Sequence, residues 1–156
     1  MSAKSRQWIR HFVDYAGLIA FLITLVVTWS ADIGAYAVGN LLKGPKLWPR
    51  FSPNKTWAGF TAGLIGGSAA GLILTSMLDF GLPHPAWGAA LGLAGALATM
   101  AGDLWESALK RRFGVKDAGN IIPGHGGLLD RVDGMMFAVV VIAAARLALI
   151  LAERGA

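Results

Sequence analysis

The chain of 156 residues has the length of one domain, yet 55% of it is hydrophobic and only 15% charged, with a mean hydropathy of +0.57; this balance excludes an ordinary water-soluble globule. Cysteine is absent, which rules out a disulfide framework and any thiolate metal site. The formal net charge of +5 does not indicate nucleic acid, because nine of the 14 Lys and Arg residues fall in two short segments between apolar stretches, a pattern of membrane loops.

Four apolar stretches, near 15–42, 57–78, 85–113 and 133–152, supply the ~20 residues that a membrane-crossing helix needs. The expected fold class is therefore all-α, a polytopic membrane protein of about four transmembrane helices in a single domain over 1–156. The first stretch follows Lys4, Arg6 and Arg10, as a secretory leader would, but it runs on through Asp32 to Leu42 and no soluble protein follows it. Asp32 is an acid inside an apolar helix and so a functional candidate by default, with a hydrogen bond to a neighbouring helix as the plainer alternative.

The first loop carries Lys43, Lys46, Arg50 and Lys55, and its Ser52-Pro53-Asn54-Lys55-Thr56 run reads in two ways. It is either an ordinary turn and helix entry or a place where Lys55, Ser52 and Thr56 meet phosphate. In the next two helices Gly59 and Gly63, Gly67 and Gly71, and Gly88 and Gly92 recur at four-residue spacing, which lets helix backbones approach closely in lipid.

The third stretch would be ~43 Å long as one helix, so its end from Asp103 onward is expected to leave the hydrocarbon, with Gly114 as its stop. Asp103, Glu106, Ser107 and Lys110 form one polar stripe on that helix. The third loop then surrounds His125 with Gly119, Pro123, Gly124, Gly126 and Gly127, too much glycine for a helix and well suited to backbone N–H contact with an anion. Asp130 and Asp133 follow, three apart, at the start of the fourth helix. Two readings of these acids compete. One is an interfacial ion-pair network with Lys110, Arg111, Lys116 and Arg131. The other is a Mg²⁺ site, in which one or two carboxylates hold the ion while surplus cations hold a polyphosphate. His125 is suited to donate a hydrogen bond to phosphate or to transfer a proton, or else is structural.

Charge orients the helices, since Lys and Arg concentrate in cytoplasmic loops. Loops one and three hold nine, against Lys4, Arg6, Arg10 and Arg154 on the other side, so both polar loops are expected to face the cytoplasm.

The run SALKRRFGVKDAGNIIPGHGGLLDRVD, Ser107 to Asp133, together with ADIGAYAVG at Ala31–Gly39 and SPNKTWAG at Ser52–Gly59, resembles the phosphatidate cytidylyltransferase family in its C-terminal catalytic half. The resemblance implies transfer of a cytidylyl group from CTP to phosphatidate in a bacterial inner membrane, giving CDP-diacylglycerol and pyrophosphate with Mg²⁺, and with room for a second cation. It implies Asp130 and Asp133 as metal ligands, joined by Asp103, which lies outside the matched run but on the same polar stripe, and Asp130, Lys110, Asp133 and His125 as catalytic. Substrate would be bound by Ser52, Lys55, Thr56, Ser107, Arg111, Lys116, Asp117, Gly126, Gly127 and Arg131. Partners implied are CTP, phosphatidate, the bilayer and a second copy in a homodimer, with no nucleic acid. Members of this family usually carry further helices before the matched region. A truncated, inactive membrane subunit, or another CTP-dependent lipid enzyme of the CDP-archaeol synthase or polyprenol kinase type, is therefore the competing expectation.

Overall fold

A computed structural model describes residues 3–78, 82–115 and 129–155, the side chains of 3–14, 16, 129–132 and 153–155 excepted. Four helices account for most of it: α1 (Ala3–Leu42), α2 (Trp57–Met77), α3 (Pro85–Arg112) and α4 (Leu129–Gly155). Among the described residues, Gly17–Leu42, Trp57–Met77 and Asp133–Ala152 are long and apolar enough to cross a membrane. The all-α membrane reading therefore holds. α3 has a similar length but is rich in Gly and Ala, and it ends in Lys110, Arg111 and Arg112.

The helix ends follow from local chemistry. Thr56 caps α2, its Oγ1 accepting from the Gly59 N–H at 3.1 Å, which satisfies one of the free donors of the first turn. His84 does the same for α3 through Nδ1 and Ala86, with Pro85 at the first helical position, where its fixed φ suits the turn. At the far end Gly114 takes φ +71°, its N–H meeting the Arg111 carbonyl while that of Val115 meets Lys110. These two bonds are the Schellman arrangement, so Gly114 is the stop its sequence position indicated.

One element departs from the expected turn. Lys46–Trp48 (β1) and Ser52–Thr56 (β2) pair antiparallel, Lys46 opposite Thr56 and Trp48 opposite Ser52, with an irregular register between. A two-stranded sheet consists of edges only, so Pro53 is tolerated in β2 although it cannot donate.

Consecutive helices pack against one another, and α1 also meets α4 and closes the bundle. Ile23, Val27, Ala70, Leu91 and Ile142 form one buried cluster, and Ala31, Ala96 and Met100 another beneath the polar end. The α2–α3 crossing is made by glycine. A methyl group on Gly92 would collide with the Gly67 carbonyl, and one on Gly71 with that of Gly88, so backbones touch where side chains would otherwise separate them. Two buried threonines meet inside the bundle: Thr99 donates to the Gly95 carbonyl at 3.0 Å and lies 3.3 Å from the Thr28 hydroxyl.

Candidate functional site

This topology brings the end of α1, the hairpin, the start of α2 and the last turns of α3 to one end of the bundle. There they enclose a cavity of about 730 Å³, whose polar lining includes Asp32, Asn40, Lys43, Lys46, Asn54, Lys55, Thr56 and Asp103. Its centre is an ion pair. Lys55 Nζ donates to Asp103 Oδ2 at 3.0 Å, and both side chains remain partly exposed, 33% and 25%. Asp32 lies within electrostatic range of Lys55, Asp103 and Asp133, so the acid embedded in α1 faces this polar end. The strand β2 is what aims Lys55 at α3, and the cap formed by neighbouring Thr56 fixes where β2 joins α2.

A second group of charges continues from the cavity toward α4. The Asp103 and Asp133 carboxyls meet side chain to side chain, Asp133 in turn faces Glu106, and Glu106 forms an ion pair with Lys110 at 3.3 Å. Glu106 is only 4% exposed, so its carboxylate meets Lys110 and Asp133 largely out of water. Burial raises the Asp103 carboxyl above the ordinary carboxylate range, with Lys55 drawing it back and Asp133 pushing it further up. Gly134 allows this approach, since a methyl group there would sit 2.5 Å from Asp103 Oδ1.

Of the residues expected from sequence, Lys55, Thr56 and Asp103 line the cavity, and Lys110 and Asp133 belong to the adjoining acid group. Ser52 opens β2 at its pairing with Trp48, and Ser107 is half-buried on α3; neither lines the cavity. The Thr56 oxygen is engaged as the α2 cap. Arg111 lies elsewhere, in a separate cavity on another face of α3. Lys116, Asp117, His125, Gly126 and Gly127 lie outside the described residues, as do the side chains of Asp130 and Arg131. Lys43, Lys46, Asn40 and Asn54 join the lining without having been singled out as ligands. The two lysines had registered only as loop charge.

Among the described residues no three acid or histidine side chains are gathered as a complete ligand set. The donor chemistry still fits a hard cation. Mg²⁺ takes one or two carboxylates from a protein and completes its shell with water and phosphate, and Asp103 beside Asp133, with the Glu106 carboxylate next to them, offers that.

Comparison with known proteins places these residues in context. A profile described as the Cytidylyltransferase family matches residues 8–149. Similar curated relatives are phosphatidate cytidylyltransferases of Brucella suis, 45% identical over 127 residues, Bacillus subtilis, 43% over 125, and Mycobacterium leprae, 37% over 143. The alignments cover 81%, 80% and 86% of this chain but 46%, 46% and 45% of those proteins. The chain thus spans a little under half of the length of the relatives it matches.

Proposed function

This chain belongs to the cytidylyltransferase family, and from that premise we propose that it transfers a cytidylyl group from CTP to phosphatidate at the membrane surface. A phosphate oxygen of phosphatidate would attack the α-phosphorus of CTP. The bond from that phosphorus to the bridging oxygen would break, and pyrophosphate would leave with the electron pair. The lipid phosphate is already anionic near pH 7, so the chain's task is positioning and charge neutralisation more than deprotonation.

The observation that carries this reading is the Lys55–Asp103 pair at the heart of a polar cavity between three helices and the hairpin. Lys43, Lys46 and Lys55 supply cations for the triphosphate, and the cavity volume of about 730 Å³ is of the size that takes a small-molecule ligand. Asp103 and Asp133, with Asp130 on the same helix start, would hold Mg²⁺. Bound there, the ion would neutralise charge on the phosphates. Lys110, held against Glu106, stands ready beside this group, while the family resemblance adds His125, Lys116 and Arg131 from the third loop. The charge distribution supports a site facing the cytoplasm, since both loops that flank it carry the excess of Lys and Arg.

The test uses the 156-residue protein in nanodiscs with labelled CTP, phosphatidate and Mg²⁺. Formation of labelled CDP-diacylglycerol supports the proposal. Mg²⁺-dependent CTP binding with no turnover would instead identify a binding subunit.

A further inference from the structure

A second cavity, of about 500 Å³, opens on a separate face of α3, between its last two turns and the hairpin turn. Its charged lining is Arg50, Arg111 and Arg112, and its apolar walls include Phe51, Trp105 and Leu109. The Arg50 guanidinium lies 5.5 Å from the centre of the Phe51 ring, a cation–π contact between two residues of the lining. All three arginines are exposed, and neither ion pair described above, Lys55–Asp103 or Lys110–Glu106, uses them. Three guanidiniums exceed the partial negative charge of the α3 C-terminus. Each carries a planar set of donors that matches two oxygens of a phosphate.

The surroundings identify where that phosphate comes from. Along α3 every fourth residue is exposed, from Leu109 through Trp105, Ala101 and Leu97 to Leu93, an i+4 ridge that winds from the cavity toward the middle of the helix. In a bilayer the Ala101–Leu93 part of this ridge would lie against lipid chains, and Trp105 would sit at the depth tryptophan favours, next to the head groups. A ligand with a phosphate in the arginine cavity and hydrocarbon on the ridge satisfies both features at once.

We propose that Arg50, Arg111 and Arg112 hold the phosphate of an anionic phospholipid drawn from the surrounding leaflet, with its acyl chains along the Ala101–Leu93 part of the ridge. This site is separate from the Lys55–Asp103 cavity, and it assigns Arg50 and Arg112, which cytidylyl transfer leaves unused. Phosphatidylglycerol is the probe, because its phosphodiester is neither substrate nor product of the proposed reaction.

Native mass spectrometry of the detergent-solubilised protein mixed with phosphatidylglycerol or phosphatidylcholine reads retention directly. The wild type retains phosphatidylglycerol in preference. The Arg50→Gln/Arg112→Gln variant loses about twenty-five-fold of that preference, at a factor of about five per arginine at an anionic surface, while Arg50→Lys/Arg112→Lys keeps part of it. Binding of CTP with Mg²⁺ is unchanged in the Gln variant. Equal retention by wild type and Gln variant overturns the proposal, as does a wild type without preference. Loss of CTP binding in the Gln variant, with lipid retention intact, overturns it too, by assigning the arginines to the nucleotide. A wild type that binds no CTP counts against cytidylyl transfer alone and leaves the lipid comparison decisive.

Discussion

Lys55 on β2 and Asp103 on α3, 48 positions apart in sequence, are joined by a 3.0 Å hydrogen-bonded ion pair. That single contact ties the hairpin to the third helix and sets the charge balance of the cavity. Replacing Lys55 by Met leaves Asp103 with its acidic neighbours and no compensating cation, so the variant should lose stability, and Asp103→Asn should lose some by stranding the lysine. Both side chains are partly exposed, so the coupling between them is expected near about 1 kcal/mol. Unfolding of both singles and the double in detergent measures it. Strictly additive losses would show that the pair is a bystander.

The glycine crossing of α2 and α3 gives a second expectation. Gly92→Ala forces a methyl group into the Gly67 carbonyl and should cost about 2 kcal/mol, in the range of overpacked cores. Gly17→Ala, where a methyl group meets nothing within 4 Å, should be neutral or stabilising by up to about 1 kcal/mol. Thermal unfolding followed by size-exclusion chromatography separates the two. A tolerated Gly92→Ala would contradict the close approach.

Lys43 occupies the left-handed region at φ 43°, a conformation that costs a non-glycine residue about 1–2 kcal/mol, and it lines the cavity around Lys55 and Asp103. Strain kept at a site by a useful charge should separate in a variant. Lys43→Gly is expected to raise stability by about 1 kcal/mol and to weaken Mg²⁺-dependent CTP binding several-fold. A variant that gains stability with unchanged CTP affinity would remove Lys43 from the site.

Much of this architecture was legible in the sequence, for identifiable reasons. The four helices follow from hydropathy, and the stop of α3 from Gly114, because capping is local chemistry. The hairpin was not legible, because β1 has three residues and Pro53 argues against a strand. Adjacency in sequence also misled at Lys110 and Arg111. Neighbours on a helix point about 100° apart, so Lys110 turns to Glu106 while Arg111 opens onto the other cavity. Asp103 was marked as a ligand by its place on a polar stripe, but its partner Lys55 comes from a distant segment, and no local pattern announces such a pairing.

Topology can be read with cysteine, of which the chain has none. Gly44 lies between α1 and β1, and Pro83 precedes α3, with the ~31 Å length of α2 separating the two ends. In intact bacterial cells a membrane-impermeant maleimide should label Pro83→Cys and should reach Gly44→Cys only after permeabilisation. The reverse pattern would place the cavity on the outer face.

Cytidylyl transfer by the protein in nanodiscs is to be measured beside its Asp103→Asn variant. The wild type is expected to form labelled CDP-diacylglycerol in a Mg²⁺-dependent reaction, and the variant to fall by at least about a hundredfold, the usual scale for losing electrostatic stabilisation of the reacting phosphates. Wild-type turnover that persists undiminished in Asp103→Asn would contradict that expectation.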